Sequence, residues 1–416
     1  MVTLRVLCAI ALATLALAGP ATADDGPALE TPAGDLAAAL DCPKPIGAAT
    51  RAPVLLIHGT NLDAESNYDW NYMPALTDAG IPWCAVTLPV MGMGDIQTAA
   101  EYVVFAIRWM FERGGREVSI VGFSQGGMIG RWALLWWPDT RAMVEDLIGN
   151  ASSNHGTVGA RGVCASSCAP SYWQQRDDSE FIAALNDGPE TFAGIDYTVN
   201  FTHYDQVVTP NLDAASGSSA LRSGDGEIQN TAVQDICPSN TADHLVLGSY
   251  DPVAWALVLD ALENDGPANP DRIDPAVCTQ QYMPGVAPGS FAADWLRYMQ
   301  AVGQGFNAVD PVAAEPKLRC YVTDTCPAKP LKPPCVERKR FRLVLPKAWK
   351  SARVWVAGDR VKVRKRKDGR RFAVINLRGR APGVVRVKAR GKRASGKRVG
   401  LKRRYRVCRK SASNSA

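Results

Sequence analysis

Five residues at one junction constrain this chain more than any other feature. Gly122-Phe-Ser-Gln-Gly126 directly follows the apolar run Glu117–Val121 and opens a helical pattern that reaches Trp137, where Pro138 stops it. Only glycines beside that serine let the strand and the next helix approach so closely. A strand turning this sharply into a helix fits a parallel sheet with helical cover. Other segments before residue 325 agree. Pro53–Ile57, Trp83–Leu88, Met143–Ile148 and Tyr197–Phe201 read as strands, while Ala99–Glu112 and Ala254–Leu262 carry apolar residues at helical spacing. Strands buried on both faces and separated by helices predict the α/β class.

Charge divides the chain. Residues 336–416 hold 30 of the 47 Lys and Arg but only three acids, a formal +27, which leaves 17 bases against 38 acids, a formal −21, for residues 1–335. Two units with different surfaces are expected. Cys326–Cys335 has four prolines in ten residues and reads as a semi-rigid linker. Beyond it the hydrophobic period changes to two. Phe341–Leu345, Val354–Val356, Val361–Val363, Phe372–Ile375, Val384–Val387 and Tyr405–Val407 predict a small all-β sandwich over residues 336–410. Cys335–Cys408 is a candidate closure for that sandwich, and residues 411–416 read as a disordered tail.

The first 23 residues read as an export signal: Arg5, the apolar run Val6–Ala18, and Ala21-Thr-Ala23 for cleavage. Residues 24–41 then form an N-terminal extension, and 42–325 the large domain. No later segment reads as a membrane span. Removing Cys8 with the signal leaves ten cysteines, an even number that suggests five disulfides in an exported chain. With no CxxC pair and no zinc spacing among the four histidines, neither a metal nor a cofactor is expected.

Ser124 is the candidate nucleophile. A serine hydroxyl needs a base within hydrogen-bond reach, and in a sheet of this kind the acid and the histidine follow the serine. His203 falls inside the strand pattern Tyr197–Tyr204, whereas Asp205 lies just past it and His244 sits in a loop before the helix Ala254–Leu262. Catalytic groups gather at the carboxyl ends of strands, which favours Asp205 and His244. Asp225, Asp235 and Asp243 are rival acids that follow no strand so plainly. An oxyanion needs two or more donors. The N–H of Gln125 is one candidate, and Thr60, in the loop after the first core strand, offers its N–H and hydroxyl. His58 is expected to support that loop.

Pro53-Val-Leu-Leu-Ile-His-Gly-Thr60, Ser124-Gln-Gly-Gly127, Ser171-Tyr-Trp-Gln-Gln175, Tyr204-Asp-Gln-Val-Val-Thr-Pro210 and Asp243-His244 occur in that order. In these motifs residues 42 to about 325 resemble the lipase B family of α/β-hydrolases. The resemblance implies a triad of Ser124, Asp205 and His244, an oxyanion hole of Thr60 and Gln125, and disulfides Cys42–Cys84 and Cys237–Cys278. It makes Phe123 a substrate-binding candidate, standing where the typical member has a tryptophan lining the alcohol pocket. Residues 158–173 correspond to a mobile segment beside the site entrance, where Cys164 and Cys168 can close a local disulfide.

The activity implied is that of a secreted lipase or carboxylesterase acting on a lipid or small ester; a short-chain esterase or polyester depolymerase is the alternative. A different class of function makes residues 336–416 the working part, binding an anionic cell-envelope or lipid surface through salt-sensitive contacts. Nucleic acid is not expected as the native partner, because the chain reads as exported and offers no clear aromatic platform.

Overall fold

The computed structural model describes residues 25–43, 45–48, 51–323, 325, 340–345, 349–366, 370–377, 383–393 and 398–407. The expected signal (1–23), linker (326–335) and tail (411–416) lie outside the described residues, as do Cys335 and Cys408. The chain forms two compact units, Met1–Thr325 and Cys326–Ala416.

The first unit is built on a seven-stranded sheet in the order β1-β3-β2-β4-β5-β6-β7. Its strands are β1 (Leu40–Asp41), β2 (Val54–Ile57), β3 (Trp83–Val86), β4 (Val118–Phe123), β5 (Val144–Asn150), β6 (Asp196–Phe201) and β7 (Glu227–Ala232). All neighbours run parallel except the two-residue β1, which pairs antiparallel with β3. The segment read as an N-terminal extension therefore supplies an edge strand.

Alternation along β2 separates two cores. Leu55 and Ile57 pack with α1 (Ile96–Gly114) and α2 (Gln125–Trp136), while Val54 and Leu56 pack with α3 (Pro252–Glu263) and the aromatic residues Tyr68 and Trp70. Local chemistry sets the helix ends. Asp95 caps α1 through the Gln97 N–H at 3.0 Å, and Gly115 ends it at φ 70°. Asp251 caps α3 through the Ala254 N–H at 2.7 Å, with Pro252 in the first turn.

Two expectations need correction. His244–Glu263 does reach the length and apolarity of a membrane span, but most of its apolar stretch is buried inside this unit. It comprises a one-turn helix, His244–Leu247, and then the core helix α3. The β6 strand also ends earlier than its hydrophobic pattern, at Phe201, so His203 stands exposed in the turn beyond it.

The second unit carries two antiparallel sheets in the orders β10-β9-β13-β14 and β11-β12-β8. These strands are β8 (Arg340–Val344), β9 (Trp349–Val356), β10 (Asp359–Val361), β11 (Val363–Lys365), β12 (Arg371–Asn376), β13 (Gly383–Arg393) and β14 (Arg398–Val407). One core joins both sheets: Leu343, Ala373 and Ile375 from one, and Val354, Val356, Val385 and Val387 from the other.

Candidate active site

The chain runs from β2 to β3 on one side of the sheet and returns to β4 on the other. The loops after β2 and β4 therefore diverge and leave a crevice at the carboxyl ends of these strands. Thr60 follows β2 there, and Ser124 follows β4.

Ser124 sits at φ 54°, ψ −119°, between β4 and α2. This backbone is strained for a residue with a side chain, and its surroundings enforce it. The Ser124 N–H donates to Asn150 O on β5 at 2.8 Å, and Ser124 O accepts from the Gly127 N–H at 3.2 Å. A methyl group on Gly126 would collide with Ile57 O of β2, and one on Gly122 would collide with the Gly126 backbone. The glycine pattern therefore records a contact between strand and helix that admits no Cβ. Ser124 itself keeps 6% exposure.

Asp205 and His244 come together although 39 residues separate them: His244 Nδ1 donates to Asp205 Oδ2 at 3.0 Å, with both side chains buried. Backbone pairing sets this meeting. Tyr204 and Asp243 form an isolated parallel bridge, and Thr202 Oγ1 donates to Ala242 O at 2.6 Å. The other oxygen, Asp205 Oδ1, accepts from the N–H groups of Val207 and Val208 at 2.9 and 2.7 Å. These bonds fix the carboxylate's orientation, which leaves the imidazole one donor geometry toward it. Asp243 caps the one-turn helix through the Val246 N–H, so His244 is that helix's first residue. Of the other rival acids, Asp235 accepts from the Ala232 N–H, and the Asp225 N–H donates to Thr191 O.

Phe123 is 2% exposed, and its ring lies 4.9 Å from that of His244. Gly59 and Gly248 flank it: a methyl at either position would meet the Phe123 ring. Phe123 thus forms part of the surface on which the imidazole rests.

Thr60 Oγ1 accepts from Gln125 Nε2 at 3.2 Å and from Gln175 Nε2 at 3.0 Å. Gln175 is oriented in turn by Ser153 Oγ, which donates to its Oε1 at 3.0 Å. With both acceptor positions engaged, the Thr60 hydroxyl proton remains available as a donor. The Gln175 contact was not legible from the residues, since 115 positions separate it from Thr60; Gln175 stood out only within the Ser171–Gln175 motif. His58 supports the loop: Nδ1 donates to Gly59 O at 2.7 Å, and Nε2 accepts from the Leu88 N–H at 2.8 Å. Burial lowers its pKa to about 4, against the backbone bond to Gly59, which favours protonation.

Cys164 and Cys168 are joined beside the short helix Gly159–Val163, and Cys168 pairs with Val312 through two backbone bonds. Cys42–Cys84 and Cys237–Cys278 are also joined, and Cys320 is disulfide-bonded.

Comparison with known proteins finds a relative in lipase B of Pseudozyma antarctica, 30% identical over 222 residues, which cover 52% of this chain and 64% of that protein. Among solved structures, Aspergillus fumigatus lipase B superposes with a TM-score of 0.66 at 28% identity, covering 76% of this chain and 77% of that one. No protein-family model matches the chain.

Proposed function

We propose that this chain, a relative of lipase B among the α/β-hydrolases, hydrolyses carboxylic esters through an acyl-enzyme on Ser124. The observation that carries the reading is the buried 3.0 Å bond from His244 to Asp205, with the Phe123 ring against that imidazole and the next residue, Ser124, held in a strained strand–helix turn. Asp205 binds Nδ1–H and so keeps the lone pair on Nε2, where His244 accepts the Ser124 proton as the hydroxyl attacks the carbonyl. The developing imidazolium is stabilised by the same carboxylate. The N–H of Gln125, with the N–H and hydroxyl of Thr60, donates to the oxyanion. His244 then returns its proton to the leaving alkoxide, and water repeats the sequence to release the acid.

Apolar esters are the favoured substrates. Val158, Val163, Val207, Leu212, Phe306 and Val312 are exposed, several of them on segments tied to the oxyanion loop. The Thr157 hydroxyl donates to Val207 O, Tyr172 accepts from Asn61, and the Tyr172 ring lies 6.4 Å from that of Phe306. The disulfides Cys42–Cys84, Cys164–Cys168 and Cys237–Cys278 support export to an oxidising compartment. A chain-length series of p-nitrophenyl esters beside triglyceride emulsions separates a lipase from a short-chain esterase.

Ser124→Ala is expected to lower kcat at least ~10³-fold while the folded state is retained. A fluorophosphonate should label Ser124 alone. Undiminished ester turnover in the alanine variant, or labelling elsewhere, rejects the assignment.

A further inference from the structure

The second unit has a basic face whose arrangement is more specific than its charge. Along β13, Val385, Val387 and Ala389 are buried, while the alternating Arg386, Lys388, Arg390 and Lys392 are exposed. Residues two apart on a strand lie about 6.8 Å from one another on the same side, so these four form a row of cations along β13.

The row continues across the sheet. Register sets Arg353 of β9 opposite Arg390, and Trp355 opposite both Lys388 of β13 and Arg360 of β10. Like charges directly opposite on neighbouring strands destabilise a sheet. A surface serving only solubility intersperses both signs, yet residues 336–416 contain just three acids. The face also has shape. Arg353, Arg360, Arg390 and Lys392 line a cleft of about 710 Å³ together with Gly391 and Gly400.

We propose that this face binds an extended linear polymer carrying one phosphate per repeat. A three-carbon phosphodiester repeat has nearly the row's period. Arginine forks and lysine point charges both suit phosphate oxygens, and the half-buried Trp355 supplies an apolar rest between cations. A membrane fits less well: among the described residues of this unit the exposed large hydrophobic side chain is Val344, and it lies on β8 of the other sheet. The inference is independent of the esterase reading.

The test measures binding of the full-length protein to purified poly(glycerol phosphate) across a salt series. One variant replaces the row (Arg386→Ser, Lys388→Ser, Arg390→Ser, Lys392→Ser). A matched variant removes equal charge from the other sheet (Arg340→Ser, Arg342→Ser, Arg364→Ser, Lys365→Ser). Four phosphate contacts predict a log–log salt slope of roughly −3 for wild type. The row variant should weaken binding at least ~30-fold and the matched variant less than ~3-fold. Lys388→Glu alone, the milder probe, should cost about 10-fold. Equal losses in the two fourfold variants would reduce the effect to bulk charge and overturn the proposal. So would absence of binding at low salt, or tighter binding to phosphatidylglycerol vesicles or single-stranded DNA than to the polymer.

Discussion

Gln175 Nε2 donates to Thr60 Oγ1 at 3.0 Å, and Gln125 Nε2 donates to the same oxygen at 3.2 Å. Two amides thus hold the hydroxyl with its proton directed away from them. If that proton serves the oxyanion, removing one amide leaves the hydroxyl free to rotate and reverse its role. Gln175→Leu is expected to lower kcat about 10-fold with KM changed less than about 3-fold, since the contact matters only when charge develops. Steady-state kinetics on one soluble ester measures the split; a change confined to KM would place Gln175 in ground-state binding.

Asp205 has two separable duties, accepting from His244 and holding the turn at Val207 and Val208. Asp205→Asn can keep the turn bonds through its carbonyl oxygen but presents an N–H to Nδ1, which favours the wrong tautomer. A kcat loss of roughly 10³–10⁴-fold is expected with the melting temperature nearly unchanged. Asp205→Ala, which removes both, should also lower the melting temperature.

Gly248 ends the one-turn helix begun by His244, and a methyl there would overlap the Phe123 ring. Because Phe123 touches the imidazole, Gly248→Ala should displace the base and lower kcat at least ~10-fold. Phe123→Leu gives back space at the same point. In a double-mutant cycle the two substitutions should show favourable coupling, whereas additive effects would mean that Phe123 does not transmit the displacement.

Asp146 lies at the opposite end of the sheet, on β5, where burial raises its pKa to about 7 against a hydrogen bond from Ser119 Oγ at 2.8 Å. The folded state therefore binds its proton more tightly than the unfolded state. Its penalty is absent below the ordinary value of 3.8, grows through the interval up to about 7, and is complete above it. Asp146→Asn should stabilise the protein by about 1–3 kcal/mol at pH 8 and by little at pH 4. Denaturant titrations at the two pH values check this; equal effects at both would reject the linkage.

The strands β2 and β4 were legible because burial on both faces leaves mostly apolar runs, and β5 was legible from Leu147-Ile148 despite Glu145 and Asp146 before them. The strand β7, Glu-Ile-Gln-Asn-Thr-Ala, was not, because the last strand of the sheet keeps polar, partly exposed positions. The strand pattern Tyr197–Tyr204 overruns β6 at its carboxyl end, although the strand reading Tyr197–Phe201 does not. The apolar Phe201 continues into Thr-His-Tyr without a breaker, and the chain leaves the sheet when the Thr202 hydroxyl turns to Ala242 O.

The sequence by itself determined the glycine-flanked serine, the alternation that builds a parallel sheet, and the segregation of charge into two units, because each depends on neighbours within a few residues. Tertiary structure alone decided that Phe123 lies against the imidazole of His244, that the Asp205 carboxylate is held by the N–H groups of Val207 and Val208, and that Gln175 holds Thr60. The first and last of those contacts join residues from different crossovers of one sheet. Their distances depend on how the strands stack, a quantity that no local pattern encodes.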